Sequence, residues 1–307
     1  MAEMYWGIDL GGTKIEGVVI DSALKPLIRR RILTEASRGY CHILERIGQL
    51  VEMISLESGM LPPEVIGIGT PGRYDAELGV MKNSNTVCLN GCDLKRDVEG
   101  VLNRAVAIEN DANCFALAES MFGVASSLMR DSSKTAFGII LGTGVGGGIV
   151  CRGKVRHGAH GIAGEWGHNE LISGGELCYC GRAGCVETVI SGPALERYYQ
   201  QLSGRFSPLE KISQETGTDT AAAETIERLL YYFGKALAQV INILDPDLCI
   251  LGGGVGRVEQ LYSKDAQHAI ERHLFNSELR IPLFRPLLGD SAGVFGVALL
   301  TRTEISC

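Results

Sequence analysis

Apolar positions along the chain alternate between two spacings. Tyr5–Leu10 is a short apolar run, and Lys14–Ile20 is a second, with Ile15, Val18, Val19 and Ile20 around Gly17. Both read as strands, joined by Gly11-Gly12-Thr13. Ile43, Leu44, Ile47, Leu50, Val51 and Ile54 then recur at helical spacing. They predict an amphipathic helix from Tyr40 to about Gly59, stopped by Pro62-Pro63. Val65–Gly69 predicts a buried strand that ends in a turn at Thr70-Pro71-Gly72. Gly79–Gly91 is polar and turn-rich and reads as a loop, with amides Asn83, Asn85 and Asn90. Val106–Glu109 predicts a strand, followed by Asn110-Asp111 and a helix over Ala112–Met121. Ala136–Leu141 is another strand; a glycine run over Gly142–Gly148 separates it from Ile149-Val150. Helices are predicted over Pro193–Leu202 and Ala221–Leu244. The second carries Ile226, Leu229, Leu230, Phe233, Leu237, Val240 and Ile241 on one face. Asp247–Leu251 is a strand running into Gly252–Gly256. Glu259 to about Phe275 predicts a helix. A last one begins at an N-cap, Asp290, and runs to Leu300 through small residues that predict close packing.

This alternation of strands and helices, over 307 residues, predicts an α/β chain of two domains. A hydrophobic content of 45% with 21% charged residues describes a globular protein. The net charge of -7 argues against a nucleic-acid surface. The one basic block, Arg29–Arg31, reads as a solvated strand or edge. No apolar run reaches membrane-spanning length, and MAEMYWGIDLGG does not read as a signal peptide, so the expectation is a cytoplasmic protein. Most of the ten cysteines are scattered and read as reduced, space-filling thiols.

Candidate chemistry collects where strands end. Gly7–Thr13 and Gly138–Gly144 share one pattern, strand, glycine turn, strand, which reads as a domain-scale internal repeat. Each turn gathers backbone N–H groups into an anion nest. In the first, Thr13 adds a hydroxyl and Lys14 a counter-charge, while Asp9 is placed to hold magnesium through water. Gly142-x-Gly144-x-x-Gly147 matches a dinucleotide fingerprint. That motif requires a following helix, and a strand follows here, so the dinucleotide reading is rejected. Asp111, at a strand end before a helix, stands where α/β sheets place their chemistry; the competing role is an N-cap. The glycines after Leu251 suggest close approach to a flat ligand such as adenine.

The densest signal is Gly164–Glu187, GEWGHNELISGGELCYCGRAGCVE. Cys178, Cys180 and Cys185, with His168 upstream, form a Cys3His set suited to tetrahedral zinc. A CxC redox pair is the weaker alternative. Glu165 and Glu187 are interleaved as carboxylates that zinc does not need. His157 and His160, in the preceding segment, receive no role.

Taken together, DLGGTK at 9–14, ENDANC at 109–114, LGTGVGGG at 141–148, GEWGH at 164–168, CYCGRAGCVE at 178–187 and LGGG at 251–254 resemble the ROK family of sugar kinases (repressors, open reading frames, kinases). The resemblance implies a duplicated actin-like, ribonuclease-H-like two-domain fold with a cleft between the domains. Residues 1–115 with about 293–307 would form the smaller domain, and 116–292 the larger. It also implies roles. Asp111 would be the catalytic base. Asn85, Asn110, Glu165, His168 and Glu187 would hold the sugar, with Asp111 among them. Asp9, Gly11, Gly12, Thr13, Lys14, Thr143, Gly144, Gly253 and Gly254 would serve ATP and Mg²⁺. His168, Cys178, Cys180 and Cys185 would hold a structural zinc. A homodimer is implied. The wording around the site resembles the fructokinase branch, so fructose or mannose is expected, with glucose or N-acetylglucosamine as alternatives. A non-catalytic, sugar-responsive regulator is the rival class, and the intact Asp111 argues against it.

Overall fold

The computed structural model describes residues 4–23, 25–289 and 292–301. In chain order the elements are β1 (Met4–Leu10), β2 (Lys14–Asp21), β3 (Pro26–Leu33), α1 (Tyr40–Ser58), β4 (Val65–Thr70), β5 (Arg73–Asp75), β6 (Val80–Lys82), α2 (Leu94–Leu102), β7 (Ala105–Asn110) and α3 (Asp111–Met121). They continue with β8 (Thr135–Leu141), β9 (Val145–Cys151), β10 (Lys154–Val155), α4 (Val186–Ile190), α5 (Gly192–Ser203), α6 (Leu209–Gln214) and α7 (Thr220–Leu244). The last are β11 (Leu248–Gly252), α8 (Gly253–Gly256), α9 (Lys264–Glu271), β12 (Leu283–Phe284) and α10 (Ala292–Leu299).

Two five-stranded sheets share one topology. Their orders are β3-β2-β1-β4-β7 and β10-β9-β8-β11-β12. In each, the first strand pairs antiparallel with the second and parallel with the strand after the crossover: β1 with β2 and β4, β8 with β9 and β11. Parallel neighbours need helical crossovers, which α1 and α7 supply. This is the ribonuclease-H-like unit, present twice.

The chain divides into two compact units. One lies within Met1–Gly123, Gly153–Gly161 and Leu288–Cys307; the other is Val124–Arg152 with Ile162–Leu287. In the first, Ile43, Ile47, Leu50, Val51 and Ile54 form the buried stripe of α1 against Trp6, Ile8 and Ile15 of the sheet. Gly59, left-handed, closes that helix by donating its N–H to the Ser55 carbonyl. Helix α10 packs hard against the sheet and α3. A Cβ on Gly67 would stand 2.0 Å from the Val297 carbonyl oxygen, and one on Gly296 would stand 1.9 Å from that of Cys114. Only glycine admits backbone this close, and the contact fixes α3 behind β1 and β4. In the second unit, Asp219 caps α7 by accepting from the Ala221 and Ala222 N–H groups. Ile226, Leu229, Phe233 and Leu237 of α7 pack with Phe137, Ile139 and Leu141 of β8.

Several expectations change. Gly79–Gly91 is not a plain surface loop: it holds β6 and buries Met81, Ser84, Thr86 and Leu89. Asn90 makes this possible, because its side chain exchanges two 2.9 Å hydrogen bonds with the Ser84 backbone. The helix expected over Glu259–Phe275 is two pieces. Ser263 accepts from the Ala266 N–H and starts α9 afresh after a 3-10 turn, and α9 ends at Glu271. Helix α2, which apolar spacing had not marked, begins at Asp93, whose carboxylate accepts from Arg96 N. The proposed cap Asp290 lies outside the described residues. Strand β3 is an edge, as the arginine triplet implies, yet Arg29 and Arg31 are not merely solvated: both donate to the buried Glu16. Burial alone would raise that carboxyl, but these two guanidiniums hold it below its usual range. Among the described residues no helix is long and apolar enough to cross a membrane.

Candidate active site

In the first unit the candidate residues lie at the ends of parallel strands. The Gly11–Lys14 turn is closed by Gly11 N donating to Lys14 O at 2.9 Å, and Thr34 Oγ1 donates to Gly11 O at 2.6 Å. Gly12, Thr13 and Lys14 are exposed. The next loop lies over this turn, with Thr86 Oγ1 at 3.2 Å from where a Gly12 Cβ would stand. Asn85, beside it, is exposed. The three amides of that loop therefore differ in use: Asn90 is structural, Asn83 has a left-handed backbone with φ 57, and Asn85 faces outward.

Asp111 is the first residue of α3, not its cap. Asn110 takes that place: its Oδ1 accepts from Ala112 N at 2.9 Å and Asn113 N at 3.4 Å. Its Nδ2 donates to Gly72 O at 3.3 Å, so one amide hydrogen of Asn110 is left for a ligand. Asp111 is exposed, and the helix N-terminus favours its anion. Asp9 differs. Burial, then the charges of Asp111 and Glu16, raise its carboxyl to about 7. The two aspartates thus sit within electrostatic reach of one another.

One pairing here was not visible in the sequence. Glu109, at 9% exposure, accepts from Asn110 N and Asn113 Nδ2 through Oε1, and its Oε2 lies 2.5 Å from His157 Nε2. The hydrogen bond to Glu109 raises the His157 pKa against partial burial. His157, given no role above, therefore braces the residue next to Asn110-Asp111. A separation of 48 positions left no spacing signal to find it by.

In the second unit, Gly142 N donates to Gly144 O at 2.9 Å and Gly192 N donates to Gly142 O at 2.8 Å, fixing the second glycine turn. Thr143 is exposed on it. A cavity of about 790 Å³ is lined by Gly142, Thr143, Gly192, Pro193, Gly254 and Arg257, among others. Of the paired glycines, Gly254 lines this space and a Cβ there would meet nothing within 4 Å. Gly253 does not line it. With φ +80 and a Cβ position 2.2 Å from Leu141 O, it is a glycine because β8 backbone presses on it.

Glu187 joins the second turn to the cysteine loop, since its Oε2 accepts from Val145 N at 2.8 Å. Glu165 precedes the 3-10 turn that presents His168. The donor atoms of His168, Cys178, Cys180 and Cys185 all lie within 4.8 Å of one another. Cys180 Sγ is 3.6 Å from Cys185 Sγ, and Cys178 Sγ is 3.6 Å from His168 Nδ1. A tetrahedron with Zn–S bonds of about 2.3 Å has S···S edges of about 3.8 Å, so the two 3.6 Å separations are close to such edges and the set is compatible with zinc. Tyr179, between two of the cysteines, reaches back over His168, a contact the spacing of the motif did not reveal.

Two matching sheets and this strand-end chemistry define a sugar kinase fold of the duplicated type. The sequence model of the ROK family matches residues 5–304, and the chain belongs to the ROK family. It is similar to the N-acetylgalactosamine kinase AgaK of Shewanella sp. (strain ANA-3), 34% identical over 97% of this chain and 96% of that one. The N-acetyl-D-glucosamine kinase of Aliivibrio salmonicida (strain LFI1238) is 34% identical over 97% of this chain and 99% of its own. Among solved structures, a ROK family glucokinase from Streptomyces griseus in complex with glucose and AMPPNP is 29% identical, with a TM-score of 0.81 over 98% of this chain and 100% of that one.

Proposed function

We propose that the chain transfers the terminal phosphoryl group of ATP to a sugar hydroxyl, with Asp111 as general base. The observation that carries this reading is Asp111 at the start of α3, at the end of β7 and within electrostatic reach of Asp9, whose strand leads into the Gly11–Lys14 turn. The sugar oxygen bonds to phosphorus as the bridging bond to ADP breaks, and its proton passes to an Asp111 carboxylate oxygen. The exposed N–H groups of the two glycine turns take phosphate charge. Magnesium, held through water by Asp9, would neutralise more of it. Asn85, Asn110, Glu165, His168 and Glu187 serve as hydroxyl partners. The cavity beside Thr143 and Gly254 serves the nucleoside, and Gly253 only shapes it. Zinc on His168, Cys178, Cys180 and Cys185 would be structural, with all four positions filled by protein.

For the sugar, an N-acetylhexosamine is the leading reading, supported by the names of the curated relatives above. Fructose or mannose is the second, supported by the wording of GVMKNSNTVCLNG, GEWGHNEL and CYCGRAGCVETVISG. The test is ADP release with Mg-ATP across N-acetylglucosamine, N-acetylgalactosamine, glucose, mannose and fructose. A lead of about tenfold in kcat/KM, about 1.4 kcal/mol of transition-state discrimination, decides between the readings. No sugar-dependent ADP release would sink the kinase reading in favour of a regulator. A cytoplasmic homodimer completes the proposal; a monomer by light scattering at working concentration would remove the dimer.

A further inference from the structure

The loop that lies over the first glycine turn holds two buried hydroxyls, Ser84 at 5% exposure and Thr86 at 6%. Ser84 is used: its Oγ accepts from Thr86 N at 3.1 Å. Thr86 stands at the N-cap of the 3-10 turn Val87–Leu89, where a threonine hydroxyl ordinarily accepts from backbone, yet it makes no such bond. Its Oγ1 is fully buried and has no hydrogen-bond partner among the described residues. The atom is aimed at the Gly11–Lys14 turn, 3.2 Å from where a Gly12 Cβ would stand. The residue is firmly held, with its N–H on Ser84 Oγ and its carbonyl accepting from Leu89 N at 2.9 Å, and branching at Cβ restricts its χ1. A hydroxyl has one proton to give and two lone pairs, and a buried one without a partner destabilises the fold that contains it. Asn85, next to it in the chain, is exposed and is read above as a sugar partner; Gly12, across from it, is exposed on the turn read as a phosphate nest. The bland role is a space filler. A filler would need the shape of the side chain and not its oxygen.

We propose that Thr86 is a positioning residue that couples the sugar loop to the phosphate turn: its hydroxyl gains its partner only when the Gly11–Lys14 turn takes phosphate. The bond then ties the segment presenting Asn85 to the segment presenting Gly12, so each ligand is held better when the other is in place. The free protein keeps the hydroxyl in position beforehand, and binding recovers what its burial costs. The proposal rests on the sugar-kinase reading above.

Thr86→Val tests it, because that change keeps the branched shape and replaces the hydroxyl with a methyl. Calorimetry would give the Kd of the sugar that leads the panel above, with and without AMPPNP and magnesium. In wild type the analogue should tighten sugar binding about three- to tenfold, the usual range for one hydrogen bond. In Thr86→Val that tightening should fall below about twofold, while the Kd for sugar alone stays within about twofold of wild type. Its kcat should drop about three- to tenfold. The urea midpoint of the free variant should equal or exceed that of wild type, since a buried hydroxyl without a partner has been removed. Thr86→Ser should restore both the coupling and kcat. Wild-type coupling in Thr86→Val, a lower urea midpoint, or a serine variant no better than valine would each overturn the assignment while the kinase reading stood. Wild-type protein without sugar-dependent ADP release would overturn both.

Discussion

The two glycine turns occupy equivalent points of the two sheets, and they are closed alike, by Gly11 N to Lys14 O and Gly142 N to Gly144 O, both at 2.9 Å. Their surroundings are not alike. Aligned strand against strand, Asp9 of β1 corresponds to Ile140 of β8. The first turn is flanked by an acid raised to about 7 and coupled to Asp111. The second opens on a cavity of about 790 Å³, and its carboxylate neighbour, Glu187, accepts a backbone hydrogen bond. Duplicated backbone geometry supplies two anion nests. On the function proposed above, side chains would then divide the work: acid–base chemistry on one sheet, nucleoside space and a metal-binding loop on the other.

The sharpest way to break this division is at its acid. Asp111→Ala should lower kcat by about 10²- to 10⁴-fold, the range for a lost general base, with sugar and ATP binding largely kept. A variant that turns over at the wild-type rate would end the assignment. Asp9 should show the opposite sign in stability. Its carboxyl is raised, so the stability of the neutral form is complete below pH about 3.8 and is lost as pH climbs through about 7. Asp9→Asn should therefore stabilise metal-free protein at pH 8, by up to about 4 kcal/mol, and progressively less toward pH 4. Equal urea midpoints for wild type and Asp9→Asn at pH 8 would show that the fold does not bear that ionisation.

On the other sheet the expected effects are on binding and packing. Cys180→Ser should reduce zinc from one per chain to a small fraction and weaken sugar binding by about tenfold or more, because Glu165, His168 and Glu187 lose their support. Metal analysis finding no zinc in wild type, with sugar binding indifferent to chelator, would remove the structural-zinc role. The neighbouring glycines should separate cleanly. Gly253→Ala meets Leu141 O at 2.2 Å with φ +80, so it should destabilise by about 1–3 kcal/mol. Gly254→Ala has room, so it should leave stability unchanged and raise the KM for ATP. Equal stability of the two variants would contradict the packing role given to Gly253.

The sequence displayed what short-range physics controls. Apolar periodicity marked α1 and α7, and glycine after each apolar strand marked both turns. Ligand spacing marked the cysteine cluster. The choice of strand over a dinucleotide-binding helix after Gly142–Gly148 was legible because Ile149-Val150 carries no helical pattern. What stayed hidden depends on tertiary partners. Asn90 turns a polar stretch into a buried one by pairing with Ser84. Asn110 rather than Asp111 caps α3, a choice that two adjacent capping residues leave open. Gly253 and Gly254 look identical in sequence, and only the neighbour at Leu141 tells them apart. Tyr179 and His157 both touch site residues through contacts that no local motif encodes.

His157 gives the smallest effect and the finest test of how the first unit holds its acid. Its Nε2 lies 2.5 Å from Glu109 Oε2, while Glu109 Oε1 accepts from Asn110 N and Asn113 Nδ2 at the head of α3. Glu109 raises the His157 pKa, and the positive charge of Arg73 acts against that rise. A raised histidine contributes stability that is complete below its unfolded value of about 6.5 and is lost as pH rises through the folded one. The side chain is 59% exposed, so screening holds the contribution below about 1 kcal/mol. His157→Gln keeps a donor but cannot take the charge. It should therefore be less stable than wild type at pH 6, and the gap should close by pH 9. The same variant should lower kcat only modestly, since Asn110 still caps α3 through its own side chain. A gap of equal size at both pH values would mean that shape, and not charge, is what His157 provides.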